Sequence, residues 1–324
     1  MLKKRLPMNG ARPARVTQAS PHHMVASMSG LLRAPLMRRP PAKVYGRMGG
    51  LEVRLARTKG DMRRAQRLRY HVFYNEMAAI PDVVASLSRR DEDPYDPVCD
   101  HLMVVDTEEA FKAKRQWLRR PRVVGTYRVL RQEIADLYDG FYTQGEYDIA
   151  PLIEAKSPRY KFMEMGRSCV LKPYRTRRTV ELLWQGLWNY IREHGVDVML
   201  GCASFSGTDP RQHAMALSFL HHSALAPTGW RVRAHDRQHV DMNMMPASEI
   251  DHRQVLRAMP PLIKGYLKLG AYVGDGAVID HQFGTTDILM ILPVEDINER
   301  YFAHFGAPGE LDQSAAAHDP TCLN

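Results

Sequence analysis

Apolar and polar residues alternate at three places in the first half of the chain, LEVRLA from Leu51, HLMVVD from His101 and RVVGTYRVLR from Arg122, and each pattern predicts a strand. Between the first two, residues from about Lys59 to Met77 follow a helical period. At about 100° per residue, Ala65, Leu68, Val72 and Phe73 share one face, and Arg63, Arg64, Arg67 and His71 cover the other. Phe162 to Val170 reads as a further strand. It is followed by a basic turn with Arg175 and Arg178, a helix over VELLWQGLWNYIREHG with Thr179 as its N-cap and Gly195 as its stop, and then the strand VDVMLGCASF. Strand, turn, helix and strand over 161–205 predict a parallel crossover. Later segments predict a helix after GTDP, a helical stretch from Ile250 to Gly270 broken at Pro260 and Pro261, a closing strand Thr286 to Leu292, and a final helix over VEDINERYFAHFG.

Several charges interrupt these apolar runs. Glu164 and Arg167 sit inside the strand Phe162 to Val170, with Gly166 between them. Buried charges are costly unless paired, and three residues apart on a regular strand they would face opposite ways. One bulged residue at Gly166 would bring them to the same side and free backbone N–H groups there. Arg69 falls on the apolar side of the first helix, and Arg128 lies among apolar neighbours. Such guanidinium groups need carboxylates or an anionic ligand. An acidic, turn-forming segment precedes the second strand, with Asp93 and Asp96 able to attract a cationic substrate. Arg175 and Arg178 ahead of a helix start form an expected anion site.

Charge narrows the function classes. Of 45 lysines and arginines, ten lie in residues 1–51, which hold no acid, leaving 35 bases against 36 acids in the rest. The net charge of +9 therefore belongs to a tail, residues 1–50, rich in Pro, Ser and Met and expected to be disordered. That tail suits an anionic membrane surface or a transit peptide, and its several methionines leave the true start open. A near-neutral body without a recognisable motif argues against nucleic-acid binding. No apolar run is long enough to span a membrane. The four cysteines, Cys99, Cys169, Cys202 and Cys322, show no metal spacing; no metal is expected, and the compartment is read as cytoplasmic.

Together these residues resemble a known arrangement. Arg69 and Phe73, Asp93 and Asp96, Arg128, and Glu164 with Arg167 follow the order found in acyl-homoserine-lactone synthases, a branch of the GNAT acyltransferase fold. The blocks RLRYHVFYNEM, CDHLMVV, VVGTYRVLRQ, MEMGRSCV, YRTRRTVELLW, GCASFSGTDP and PPLIKGYLKLGAYVGDGAVID are similar to those of the bacterial ornithine N-acyltransferases of ornithine-lipid synthesis. The resemblance spans about residues 51–306, which would form one acyltransferase domain with a mixed α/β sheet flanked by helices, and leaves 307–324 as a polar tail. It implies transfer of a 3-hydroxyacyl chain from acyl carrier protein to the α-amine of L-ornithine, with a thioester co-substrate and no cofactor.

By the same resemblance Glu164 is the expected base and Arg167 its catalytic neighbour, with Arg69, Phe73, Asp93, Asp96 and Arg128 binding substrate. Arg175, Arg178 and Thr179 would take the phosphopantetheine phosphate, and Arg63, Arg64 and Arg67 the acidic carrier. The basic, glycine-free turn departs from the glycine-rich loop of acetyl-CoA-binding members and favours a carrier-protein donor. Peripheral contact with an anionic inner membrane is expected from the tail and the lipid product. Acyl-homoserine-lactone synthesis, acylation of another amino acid, and a non-catalytic acyl-carrier or membrane-binding protein remain open. A glycerolipid acyltransferase is disfavoured, because its only candidate pair, His101 and Asp106, points to opposite faces of a strand.

Overall fold

The computed structural model describes residues 42–77, 79–108 and 121–297. Expectations for the N-terminal tail up to residue 41, for the insertion at 109–120 and for the end beyond residue 297, the final helix included, lie outside the described residues. Eight strands form one mixed sheet in the order β1-β2-β3-β4-β5-β6-β8-β7. They are β1 Val44–Met48, β2 Leu51–Leu55, β3 Asp100–Asp106, β4 Arg122–Arg131, β5 Phe162–Val170, β6 Val198–Ser206, β7 Tyr272–Asp280 and β8 Thr285–Pro293. The sheet thus begins at Val44 and not at Leu51, so residues 44–50 belong to the domain and not to the tail. Tyr45 is buried in the core, and the turn at Gly49 closes a β1–β2 hairpin.

One face of the sheet is covered by α1 (Lys59–Tyr70), α4 (Arg177–His194), α5 (Ala214–Ala224), α6 (His252–Ala258) and α7 (Pro261–Leu269). The other packs against α3 (Ala150–Lys156) and the segments around Phe141 to Ile149 and Val232 to Ala234. A short helix, α2 (Val83–Ser88), follows α1. Thr58 and Asp61 close a capping box at the start of α1. The helix does not run evenly to Met77. From His71 to Glu76 it widens into a π turn, in which the Met77 N–H reaches back five residues to the Val72 carbonyl at 3.1 Å. Gly195 ends α4 in the left-handed conformation, and Pro260 and Pro261 separate α6 from α7, as their sequence positions predict.

The feature that positions the site lies in the middle of the sheet. β5 and β6 are parallel neighbours, but their ladder covers only Phe162–Glu164 against Val198–Leu200. Beyond Glu164 the two strands part, and β5 keeps its bonds to β4 alone. The parting starts at Gly201, whose φ is 153° and where a Cβ would stand 2.1 Å from the Met165 carbonyl oxygen. Only glycine permits that approach. Gly201→Ala is therefore expected to cost at least about 2 kcal/mol, because both the contact and the backbone angle are strained. A thermal melt reads the loss, and an unchanged Tm would show that the strands can part without it.

The β4–β5 ladder carries the expected bulge. Gly166 to Cys169 faces Arg128 to Thr126, one residue more on β5 than on β4. The left-handed residue is Arg167, with φ of 52°, and not Gly166. A Cβ on Gly166 would meet nothing within 4 Å, so the close backbone approach in this part of the sheet is made at Gly201 and not at Gly166. A non-glycine residue at positive φ persists only when its surroundings hold it. For Arg167 those surroundings are carboxylates.

Candidate active site

Arg69 on α1, Arg128 on β4 and Arg167 on β5 converge on the loop between α2 and β3, and each bridges two of its three aspartates. Arg69 binds Asp91 through Nε at 2.7 Å and Asp96 through Nη2 at 2.7 Å. Arg128 binds Asp96 through Nη1 at 3.1 Å and also pairs with Asp93. Arg167 closes the ring, with Nη2 at 3.0 Å from Asp93 and Nε at 3.4 Å from Asp91. Charges alternate around a closed ring of three guanidinium and three carboxylate groups, so the buried net charge is zero. Gln66 adds a donor to Asp96 at 2.9 Å, and the Tyr74 hydroxyl donates to Asp91 at 3.2 Å. Burial alone would raise the carboxyls of Asp93 and Asp96. The arginines outweigh it and hold both below the ordinary range.

This arrangement differs from the expectation for three residues. Arg69, Asp93 and Asp96 are spent on one another and on Arg128 and Arg167, and they stand behind the cavity wall, not in it. In this structure Asp93 and Asp96 do not face this cavity and instead hold Arg128 and Arg167, two arginines that do line it. Phe73 lines it too, with its ring 5.5 Å from that of Phe283 at nearly a right angle. The Arg128 and Arg167 guanidinium groups lie 5.4 and 5.0 Å from the Tyr142 ring, and Arg167 is 4.6 Å from that of Phe283.

Glu164 faces the same cavity and is not part of the ring. Its Oε2 accepts the Tyr142 N–H at 2.9 Å, and its Oε1 accepts the Thr143 N–H at 2.6 Å and the Thr143 hydroxyl. Burial pushes its pKa up, while the Thr143 and Tyr142 donors and the Arg128 charge pull it partly back. The outcome is a carboxylate fixed in orientation, raised in basicity, and left with lone-pair capacity on Oε2. Those are the attributes of a general base.

The cavity of about 700 Å³ fills the gap where β5 and β6 part. Part of its wall is apolar, from Val72, Phe73, Met77, Val180, Leu183, Trp184 and Leu262. Another part is acidic. Glu146, Asp280 and Asp287 all line it, with oxygens of the three within 4.8 Å of one another. Burial, with Asp287 nearby, raises Glu146 to about 7, and burial raises Asp287 to about 6. Since the unfolded Asp287 titrates near 3.9, the folded protein carries the cost of its buried charge above about pH 6 and is spared it near pH 4. Asp287→Asn is therefore expected to raise Tm relative to the parent at pH 8 and to lose most of that advantage by about pH 4. Calorimetry at the two pH values checks it, and an advantage that shrinks as pH rises contradicts it.

The basic turn is only partly at the site. Arg175 lines the cavity, bonded to the Val170 carbonyl at 2.9 Å and paired with Glu76. Arg178 lies against the β1–β2 turn, where its guanidinium occupies the space a Cβ on Gly49 would take. The N-cap of α4 is Thr176 and not Thr179. The Thr176 hydroxyl accepts the Thr179 N–H at 3.4 Å, and Thr179 is buried in the first turn. Arg63 and Arg67 are exposed on the outer face of α1, whereas Arg64 is tied to Asp61 and, at 3.1 Å, to the Pro121 carbonyl. His101 is buried, with Nε2 3.1 Å from the Asp96 carbonyl oxygen, and Asp106 accepts the Tyr174 hydroxyl at 2.8 Å. They do not act as a pair.

Residues 68–185 match the family model described as an acetyltransferase (GNAT) domain. The chain is 49% identical over 267 residues to the L-ornithine N(alpha)-acyltransferase of Agrobacterium fabrum, covering 82% of this chain and 89% of that protein. It is 48% identical over 266 residues to the protein of the same name from Brucella abortus, covering 82% and 92%. Among solved structures, FeeM, an N-acyl amino acid synthase from uncultured soil microbes, aligns with a TM-score of 0.44 at 10% identity over 78% of this chain and 97% of that one.

Proposed function

This chain belongs to the L-ornithine N(alpha)-acyltransferase family, and we propose on that footing that it moves a 3-hydroxyacyl group from acyl carrier protein to the α-amine of L-ornithine, giving lyso-ornithine lipid in the first step of ornithine-lipid synthesis. The observation that carries the reading is Glu164, a buried carboxylate oriented by three donors at a cavity with both apolar and acidic walls.

In this reading the thioester enters between the parted strands, with its acyl chain along Val180, Leu183, Trp184 and Leu262. The neutral α-amine attacks the thioester carbonyl carbon, a C–N bond forms, and the carbonyl oxygen takes up the negative charge. The edge of β5 beyond Glu164, free of β6, offers backbone N–H groups to that oxygen. Glu164 accepts the ammonium proton, directly or through water, as the tetrahedral intermediate collapses. The C–S bond then breaks, and the proton passes to the departing thiolate. Arg128 and Arg167, held at the wall by their aspartates, attract the carboxylate of the amino acid. Arg175 and the start of α4 attract the phosphate of the carrier arm, and the exposed Arg63 and Arg67 meet the acidic carrier surface.

Peripheral membrane contact belongs to the same reading. Val83, Val84 and Leu87 of α2, and Ile80 shortly before it, are exposed apolar side chains, with Val83 74% and Leu87 83% exposed. Among the described residues no helix is long and apolar enough to cross a membrane.

The test is an assay of purified protein with 3-hydroxyacyl carrier protein and a panel of amino acids, read by mass spectrometry. An ornithine amide is expected. No amide with any amine, while the acyl carrier protein still binds, would overturn the reading in favour of a binding protein.

A further inference from the structure

The acidic wall of the cavity is assembled from distant parts of the chain. Asp287 lies on β8 opposite Ser204 of β6 and Val278 of β7, and Asp280 ends β7 opposite Thr285. These register pairs put both aspartates on the sheet face that carries Val278, the face from which Glu164 projects two residues after Phe162. Glu146 is brought in by the turn that also supplies the Glu164 donors, and its Oε2 takes a hydrogen bond from the Cys202 thiol at 3.1 Å.

Three carboxylates this close repel one another, and among the described residues none of the three forms an ion pair. Two further atoms show an unmet need. Oδ1 of Asp287, a residue 6% exposed, and Oγ1 of Thr285, a residue 4% exposed, are buried with no partner in good hydrogen-bond geometry, although the nearby Thr285 and Ser204 hydroxyls pull the Asp287 carboxyl partly back toward its ordinary range. An orphaned buried carboxylate oxygen costs free energy that a donor would recover. Both residues line the same cavity as Glu164.

We infer that Glu146, Asp280 and Asp287 form the subsite that receives the side-chain ammonium of a dibasic amino-acid acceptor, an inference that rests on the N-acyltransfer reading above. A primary ammonium carries three donors and one positive charge. It satisfies Asp287 Oδ1, offers a hydrogen bond to the Thr285 hydroxyl, and offsets the mutual repulsion of the three carboxylates. The raised pKa values of Glu146 and Asp287 leave the group partly protonated near neutral pH, which matches a monovalent cation. The subsite also sorts the two amines of the acceptor. The side-chain amine is held as a cation by the acids, and the α-amine is left to Glu164, which removes its proton.

The test compares L-ornithine with L-norvaline, which has the same carbon skeleton and α-amine but no side-chain amine. A site built to hydrogen-bond a buried group rejects an analogue lacking it by about 10⁴-fold in kcat/KM, and that preference is the expected result for the parent protein. Asp287→Asn and Glu146→Gln are each expected to raise KM for ornithine and to cut the preference at least about 30-fold, the scale of one hydrogen bond to a charged group. Equal use of ornithine and norvaline by the parent overturns the inference and leaves the N-acyltransfer reading standing, without recourse to any variant. Loss of activity in a chelator, restored by Mg²⁺ or Mn²⁺, would assign the carboxylates to a metal and also overturns it. If the parent acylates amines but never ornithine, the reading beneath the inference fails and the inference falls with it.

Discussion

Glu164→Gln is expected to lower kcat by about 10²- to 10⁴-fold, the usual contribution of a positioned general base, while leaving carrier-protein binding intact. The substitution keeps volume and shape but places an NH₂ where the carboxylate accepts from Tyr142 or Thr143. One hydrogen bond to the carboxylate is lost and a buried N–H is left unsatisfied, which costs stability about 1–3 kcal/mol and so does not by itself unfold the protein. The pH dependence supplies a second readout. Because burial raises the Glu164 pKa, kcat/KM of the parent should climb with pH along a limb lying above the ordinary glutamate range near ~4.3. That limb should vanish in the Gln variant. A variant with near-normal turnover and the same ascending limb would remove Glu164 from the chemistry.

The second large effect is on stability. Asp96→Asn takes one carboxylate from the ring and leaves Arg69 and Arg128 each short of a partner in a site that is almost wholly buried. Removing one member of a buried ion pair costs about 3–5 kcal/mol, because the remaining charge is stranded. For a domain of this size that corresponds to a fall in Tm on the order of 10 °C. The effect should depend on pH with a definite sign. Asp93 and Asp96 have depressed pKa values when folded, so the unfolded chain takes up their protons first as pH falls below about 4. The contribution of the ring is therefore complete above about pH 4 and is lost only as pH falls through the depressed folded values, so the gap between parent and variant melts should stay constant down to about pH 5 and begin to narrow between about pH 4 and pH 3. A Tm within 2 °C of the parent at pH 7 would mean that the ring relaxes around the loss.

Much of this site is visible in the sequence, and the parts that are not share a physical cause. The β5 bulge could be read because two charges three residues apart on an apolar strand admit few solutions. The inward arginines could be read because a helical or strand period states which way a side chain points. Their partners could be placed only on the right loop: which of Asp91, Asp93 and Asp96 meets which arginine depends on loop geometry, and no periodicity in the loop singles out Asp91 as the partner of Arg69 and Arg167. The donors to Glu164, Tyr142 and Thr143, lie about twenty residues before it in a turn whose sequence, GFYTQGEYD, signals a turn and nothing of what it faces.

Glu146 and Asp287 are still more remote from each other: the β6–β8–β7 register gathers Asp287 and Asp280, and the turn over Tyr142 to Gly145 brings Glu146 to Cys202 of β6. The β7 strand carries Gly274 and Gly276, which weaken any local strand signal; it is specified by pairing with β8, itself buried along its whole length. At the start of α4, Thr176 and Thr179 both suit an N-cap, and only the backbone decides for Thr176. The widening of α1 at His71 has no sequence mark that we can identify.

The geometry makes one claim that a single product can test. If Glu164 serves the α-amine while the acidic wall holds the other, acylation must fall on Nα. Purified protein, 3-hydroxyacyl carrier protein and L-ornithine should yield an amide whose fragmentation in tandem mass spectrometry places the acyl chain on Nα and leaves a free side-chain amine. An amide on the side-chain nitrogen would contradict the account, since it would put the wrong amine beside Glu164.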